Sequence, residues 1–345
     1  MTTDIETYLN SLSEDILIIN VSNKGIKSLP DLTRFKNLKI LNCSNNELTS
    51  LPTLPQNLQK LSCYDNKLTS LPSLPQNLQK LSCYDNQLTL LPTLPQNLQK
   101  LSCYINKLTS LPTLPQNLEC LYCYDNQLTL LPTLPQNLEI LSCDINKLTS
   151  LPTLPQNLQN LFCTNNQLTS LPTLPQNLKI LNCYDNQLTS LPTLPQNLEE
   201  LSCSNNKLTS LCALPQNLEY LSCDSNKLTL LSSLPQNLRE LYCSENELTS
   251  LPTLPQNLEY LYCSNNPIYE IVNNDSLIAI KQNIQTLNNF RYLYYCLKFK
   301  KQLRKWLWEK VREPNAKKLY NPMYLIENLG EDDDLDTVLN NWNNQ

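Results

Sequence analysis

Residues 51–70 read LPTLPQNLQKLSCYDNKLTS, and the same twenty residues return with little drift from positions 71, 91, 111, 131, 151, 171, 191, 211, 231 and 251. A fixed short period carried by Leu marks a stack of equivalent units, none of which buries its apolar face alone. In the copy that opens at Leu51 the frame is Leu58, Leu61, Cys63, Asn66 and Leu68. Upstream it continues through Leu38, Leu41, Cys43, Asn46 and Leu48. Before that comes a divergent copy in which Ile16, Ile19, Val21 and Ile26 take the Leu positions and Lys24 stands where Asn belongs. The step from Ile16 to Leu38 is 22 residues and each later step to Leu258 is 20, which gives thirteen units over residues 16–271.

Within a unit the L-x-x-L-x-C segment predicts one short strand. Side chains alternate along a strand, so Leu61 and Cys63 point inward while Lys60, Ser62 and Tyr64 face solvent. Parallel strands ~4.8 Å apart make the stack about 60 Å long. The twelve Asn residues from Asn46 to Asn266 are expected to form a ladder, each amide satisfying backbone groups at the turn that leaves the strand. Nine residues, such as Thr69–Asn77, return the chain to the next strand, too few for a helix with its turns. Two prolines per unit, Pro52 and Pro55 in the first, favour polyproline II there. Cys212-Ala213 and Ser232-Ser233 replace Pro-Thr in two units and predict a softer convex wall.

The pattern L-x-x-L-x-L/C-x-x-N-x-L, carried by Leu58, Leu61, Cys63, Asn66 and Leu68 and their equivalents, resembles the leucine-rich repeat. The resemblance implies a mainly β, α/β-type right-handed solenoid: a concave parallel sheet, a convex side of polyproline II and loop, and helical caps at both ends. The spelling LPTLPQNLxxLxxxxNxLTS is similar to the bacterial LPX subfamily of secreted effectors that recognise host proteins. Some of those carry a C-terminal ubiquitin-ligase domain with a nucleophilic Cys in a C-x-D setting. Here Cys296 lies in YYCLKF, without that setting, and about 75 residues follow the repeats, so the ligase is not expected. The tail, RKWLWEKVREPNAKKLYNPMYLIENL followed by EDDDLDTVLNNW, resembles the C-terminus of many giant-DNA-virus proteins of the mimivirus type, which implies an origin more than an activity.

Residues 1–15 predict a short amphipathic cap helix with Ile5, Tyr8, Leu9 and Leu12 along one stripe. Beyond the repeats, 272–345 form the C-terminal cap and tail. Residues 276–313 predict one or two helices, with Leu277, Ile280, Ile284, Leu287, Tyr292, Leu293 and Leu297 supplying apolar stripes.

Composition narrows the chemistry. The 345 residues hold no His, which removes the commonest general base, the Ser/His and Cys/His pairs and every His-containing zinc site. Two glycines against 24 prolines exclude a Gly-rich phosphate loop, and a net charge of −5 argues against nucleic-acid binding by the chain as a whole. No apolar run approaches the ~20 residues of a membrane span. The start, MTTDIETYLNSLSEDI, lacks the basic and apolar regions of a signal peptide, so an intracellular protein of the host-cell cytoplasm is expected. Of 15 Cys, the twelve from Cys43 to Cys263 recur at one inward position and are expected to be apolar filler thiols, their parallel side chains pointing alike rather than at each other. Cys120 and Cys123 spell C-x-x-C but fall on opposite faces, so neither metal nor cofactor is expected. Asp65, Asp85 and Asp125 offer carboxylates for a cation or acid–base work, against the commoner reading of a solvated edge.

A solenoid works through columns of equivalent exposed positions. One column reads Tyr64, Tyr84, Tyr104 and Tyr124, resuming at Tyr184; two residues earlier another carries Tyr122, Phe162, Tyr242 and Tyr262 among Ser and Asn. A third begins Lys60, Lys80, Lys100 and ends Glu200, Tyr220, Glu240, Tyr260. Aromatic rows on a rigid sheet suit a protein interface, and the change from Lys to Glu would orient an extended, polar partner. The competing reading is that Tyr stacking only protects the sheet. Non-enzymatic protein binding is therefore expected. The alternative lies in Arg291–Lys318, where Lys298, Lys300, Lys301, Arg304, Lys305, Lys310 and Arg312 interleave with Trp306 and Trp308. Such a segment would adapt the chain to nucleic acid or membrane, with the repeats as spacer.

Overall fold

A computed structural model describes residues 5–272 and 276–298. Met1–Ile284 forms one compact unit; of the second, which begins at Gln285, the description reaches Lys298. The first unit is built on a thirteen-stranded parallel sheet in sequence order. Its strands are β1 (Ile18–Asn20), β2 (Ile40–Asn42), β3 (Lys60–Ser62), β4 (Lys80–Ser82), β5 (Lys100–Ser102), β6 (Cys120–Tyr122), β7 (Ile140–Ser142), β8 (Asn160–Phe162), β9 (Ile180–Asn182), β10 (Glu200–Ser202), β11 (Tyr220–Ser222), β12 (Glu240–Tyr242) and β13 (Tyr260–Tyr262). The result is a right-handed parallel solenoid with helices at its ends. Register is exact from unit to unit, Leu61 pairing with Leu81 and Leu81 with Leu101.

Each strand is three residues long, shorter than the L-x-x-L-x-C run. It stops because the residue after Tyr64 turns left-handed: Asp65 has φ 52°, and every equivalent from Asn23 to Asn265 has φ between 50° and 57°. Asn and Asp adopt this conformation readily, whereas Ile105 and Ile145, both at φ 50°, are β-branched and poorly suited to it. Hydrogen bonding between units nevertheless continues past the strand. Cys63 N–H donates to Ser82 O (2.8 Å) and Asp65 N–H to Tyr84 O (3.0 Å). The turn thus has backbone partners in the next unit, which the sequence pattern did not suggest.

The Asn column closes what remains. Asn126 Oδ1 accepts from Leu108 N–H (2.9 Å), and its Nδ2 donates to Cys103 O (3.1 Å), Cys123 O (3.2 Å) and Tyr124 O (3.1 Å). One amide therefore ties its own turn to the unit before it. At the divergent end Asn46 does this work for Lys24 and Ile26, accepting from both backbone N–H groups, so Lys24 is supported without an Asn of its own.

The return segments contain neither helix nor strand. A turn closes at Pro55, whose carbonyl accepts from Leu58 N–H (3.2 Å). A second Asn column, not singled out in the sequence, runs along this side: Asn97 Nδ2 donates to Gln76 O (3.0 Å) and Asn117 Nδ2 to Gln96 O (3.0 Å). Between the two walls the Leu positions are sealed, with Leu58, Leu68 and Cys63 all 0% exposed. Burying a Leu is worth ~1.5–3 kcal/mol, so the repeated columns supply most of the cohesion. The column cysteines from Cys43 to Cys263 are buried free thiols. Burial pushes Cys43, Cys83 and Cys183 up to about 12, which suppresses thiolate formation.

The ends differ in detail from expectation. Helix α1 covers Ile5–Asn10 and ends five residues short of the expected 15; residues 1–4 lie outside the described set. Its last turn tightens, with Ser11 N–H donating to both Thr7 O and Tyr8 O, and Leu12 N–H to Leu9 O. Leu9 is the residue of the stripe that is buried; Tyr8 is 38% exposed. The Arg34 guanidinium caps the helix by donating to Leu9 O. At the other end α2 (Tyr269–Val272) and α3 (Leu277–Lys298) follow β13. Val272 and Ile284 are buried, and Lys281 Nζ donates to Gln256 O and Leu258 O (both 3.0 Å). Tyr292, placed on an apolar stripe by its spacing, is exposed. The basic stretch beyond Lys298, the acidic run Glu331–Asp336 and the tail of viral resemblance lie outside the described residues.

Candidate functional site: the concave face

The outward-pointing first and third strand positions and the position after Cys form three columns on one face. In the last of these, Tyr64, Tyr84, Tyr104 and Tyr124 stack face to face. Their centroids lie 4.3, 4.2 and 4.2 Å apart, with interplanar angles of 7°, 9° and 12°. The spacing is the strand spacing, which is why identical rings on in-register parallel strands fall into a stack. Each ring is half-buried by its neighbours. That burial raises the phenols of Tyr84, Tyr104 and Tyr124 above their ordinary value, leaving them neutral donors. Tyr184, alone in its part of the column, is 42% exposed.

The row stops at residue 144 because Asp replaces Tyr. Asp144 lies down on the sheet: Oδ2 accepts from Ser142 Oγ (2.7 Å) and Oδ1 from Thr164 N–H (2.8 Å). Where the tall stack ends a hollow of about 510 Å³ opens, lined by Lys100, Ser102, Tyr104, Tyr122, Tyr124, Ser142, Asp144 and Phe162. Lys100 Nζ leans over the Tyr122 ring, 5.0 Å from its centroid, a cation–π distance. Ser102, Ser142 and Asp144 were not among the residues picked from the sequence. The signal available was the gap in two aromatic columns at one height, visible only when the columns are set side by side.

Charge is distributed unevenly. Lys60, Lys80 and Lys100 are direct register partners, and no ion pair reaches them among the described residues. Toward the other end a second hollow, about 430 Å³, is lined by Glu199, Glu200, Glu219, Tyr220, Arg239 and Glu240. Arg239 lies 3.6 Å from Glu219 and 3.9 Å from Glu259, leaving the rest of this cluster acidic. Tyr220 and Tyr242 rings meet at 5.5 Å, and Tyr242 and Tyr262 stack at 4.9 Å. Tyr242 Oη donates to Glu240 Oε2 (2.9 Å), which pushes its phenol up to about 12. Tyr260 and Tyr262, on the last strand, are 51% and 53% exposed. The structure thus brings Lys60, Lys80, Lys100, Tyr64, Tyr84, Tyr104, Tyr122, Tyr124 and Phe162 into one patch. Tyr220, Tyr242, Tyr260 and Tyr262 form a separate one.

Asp65, Asp85 and Asp125 occupy the left-handed turn position and face solvent. Among the described residues no group of three His, Cys, Asp or Glu is placed to hold a metal ion. Cys120 is half-buried at the start of β6 and Cys123 is fully buried, on opposite faces as their spacing requires.

A Leucine Rich Repeat family model matches residues 37–58. No curated protein matches the chain. Among solved structures, YopM from Yersinia enterocolitica WA-314 is 34% identical, with TM-score 0.61, over 77% of this chain and 69% of that one. The leucine-rich effector protein YopM from Yersinia pestis is 37% identical, with TM-score 0.58, over 73% of this chain and 84% of that one. The chain belongs to the leucine-rich repeat family. The functional domain of InlJ from Listeria monocytogenes, described as including a cysteine ladder, is 27% identical with TM-score 0.63, over 73% of this chain and 64% of that one. As in other leucine-rich repeat proteins, equivalent exposed positions of the chain line up as columns on the parallel sheet. Among the described residues no helix is long and apolar enough to cross a membrane.

Proposed function

We propose that this leucine-rich repeat protein is a non-enzymatic scaffold that binds a protein partner along its concave sheet. The observation that carries the reading is the four-ring Tyr64–Tyr124 stack bordering an open hollow. Stacked Tyr presents a large, amphipathic area already fixed in place, so little side-chain entropy remains to be lost on binding. The Lys60, Lys80 and Lys100 row, which has no ion pair among the described residues, supports it, since like charges held in register are mildly destabilising unless something acidic meets them. Similarity to a leucine-rich effector supports an LPX-type repeat that acts through what it binds. In this reading the flanking helices serve as caps, with the solenoid spanning 16–271. The second reading, an adaptor to nucleic acid or membrane, rests on the basic sequence from Arg291 to Lys318, of which Arg291 and Lys298 are exposed on α3.

Quantitative capture from cell lysate separates the two. The baits are wild type, Tyr64/Tyr84/Tyr104/Tyr124→Ser, and a truncation after Asn289 whose circular dichroism shows that it folds. Protein recognition on the sheet predicts partners lost with the Tyr changes and kept by the truncation. Partners lost with the truncation alone would overturn it in favour of the adaptor.

A further inference from the structure

We infer that the partner inserts one aromatic side chain between Tyr122 and Phe162, completing an aromatic ladder from which this protein omits a rung. The inference rests on the concave-face reading and adds the chemistry of the occupant. Tyr122 and Phe162 stand at the same position of β6 and β8, and Ser142 of β7 lies between them. Two strand spacings put these positions about 9.6 Å apart, so a ring inserted over Ser142 has a slot about 4.8 Å from each. That is the separation this protein already uses: 4.9 Å for Tyr242–Tyr262 in the same column and 4.2–4.3 Å for the Tyr64–Tyr124 stack. The floor beneath the missing rung is settled. Ser142 is 6% exposed and its hydroxyl is held by Asp144, whose other oxygen is bound to Thr164 N–H. The gap therefore calls for a planar apolar group, not a hydrogen-bonding one.

Charge selects further. The Lys100 ammonium already occupies the β5-side face of Tyr122, so an arginine plane on the opposite face would add a second cation to one ring; an aromatic ring would not. From the rung, Lys100 is two strands away and Glu200 three, or about 10 and 14 Å. In an extended segment at ~3.3 Å per residue these distances fall about three residues to one side of the anchor and four to the other. The occupant is thus a protein segment with an aromatic anchor, acidic residues on the Lys60–Lys100 side and basic residues on the Glu199–Glu240 side.

The test uses the full chain and a fluorescent synthetic peptide built to that specification. It has three acidic residues, a Trp about three residues on, and three basic residues about four beyond it. Comparison peptides carry Ala for Trp, or one sign of charge at both ends. Anisotropy titrations are run on wild type, on Ser142→Phe, which fills the gap from within, and on Gln136→Phe, an added ring at an exposed position of the convex return segment that leads into β7. Thermal melting establishes that both variants fold. The expected result is saturable binding of the mixed-charge Trp peptide, at least tenfold weaker with Ala for Trp, with either single-sign peptide, or with Ser142→Phe, and unchanged with Gln136→Phe. Absence of saturable binding, binding indifferent to Ser142→Phe, or equal binding of a single-sign peptide would overturn it. Lysate partners lost with Tyr64/Tyr84/Tyr104/Tyr124→Ser but kept by Ser142→Phe would overturn the inserted ring alone and leave concave-face recognition standing.

Discussion

Removing one amide from the Asn column should loosen two units at once. Asn126 is 8% exposed, and its side chain serves Leu108 N–H and Cys103 O in the preceding unit and Cys123 O and Tyr124 O in its own turn. In Asn126→Ala the Leu108 donor and the Cys103 acceptor lose this partner. A buried donor left unsatisfied costs ~1–3 kcal/mol, and the net contribution of each lost bond is about 1 kcal/mol. The expected loss is about 3 kcal/mol, concentrated in the coupling between adjacent units that holds a solenoid together. Asn126→Asp should be worse at neutral pH. It keeps the acceptor for Leu108 but turns a carboxylate oxygen toward three carbonyls, a site that favours the protonated acid. The folded-state pKa is then raised, so the variant is least impaired below the usual carboxylate range and loses stability as pH rises through it. Native-state hydrogen exchange read by mass spectrometry is the assay, because a long repeat array need not unfold in one step. In Asn126→Ala, exchange of the amides around Leu108 and Asn126 should quicken by roughly a hundredfold, at 1.4 kcal/mol per decade, with distant units unchanged. Alanine within about 0.5 kcal/mol of wild type would refute the reasoning. So would an Asp variant as stable as the Ala variant at pH 7.

Three further outcomes follow from single positions. Ile105→Asn and Ile145→Asn replace β-branched residues held at φ 50° and 40–50% exposed, and each should raise stability by about 1 kcal/mol in thermal melting. Ser232 stands where most units have Pro, and its hydroxyl is buried without a hydrogen-bond partner. Ser232→Pro should stabilise by about 1 kcal/mol and slow hydrogen exchange on the convex wall of that unit; faster exchange would count against it. The Tyr242 phenol, pushed from 10 to about 12 mainly by its bond to Glu240, contributes stability that is whole below pH 10 and is lost as pH rises to about 12. Glu240→Gln should shift Tyr242 ionisation, followed by ultraviolet absorbance, back toward 10.

The period made most of the fold readable. Leu58, Leu61 and Leu68 recur in register, and no other arrangement buries all their copies; the inward Cys column and the Asn column follow from the same alternation. What the spacing did not reveal depends on backbone torsion and on contacts between units. The strand stops at Ser62 because residue 65 turns left-handed, a fact hidden by a column that includes Ile as well as Asp and Asn. The Asn57 column bonds backbone atoms some twenty residues earlier, as in Asn97 to Gln76 O, and shows only once the units are stacked. Helix α1 is short because its last turn closes with tightened bonds, although apolar spacing alone would carry it further. In the candidate site the Tyr columns were legible as exposed positions. The hollow was not, since it arises from Asp144 folding down and Ser142 leaving a gap, two small side chains that look unremarkable one at a time.

The most direct measurement replaces single residues by a photo-cross-linking aromatic amino acid, at Tyr104 and Tyr242 on the concave face and at Gln96 and Gln216 on the convex wall. Lysate partners are then cross-linked and the yields compared. Recognition through the concave sheet predicts adducts at Tyr104, at Tyr242 or at both, and none above background at Gln96 and Gln216. Equal yields from the two walls, or adducts from the convex positions alone, would contradict it.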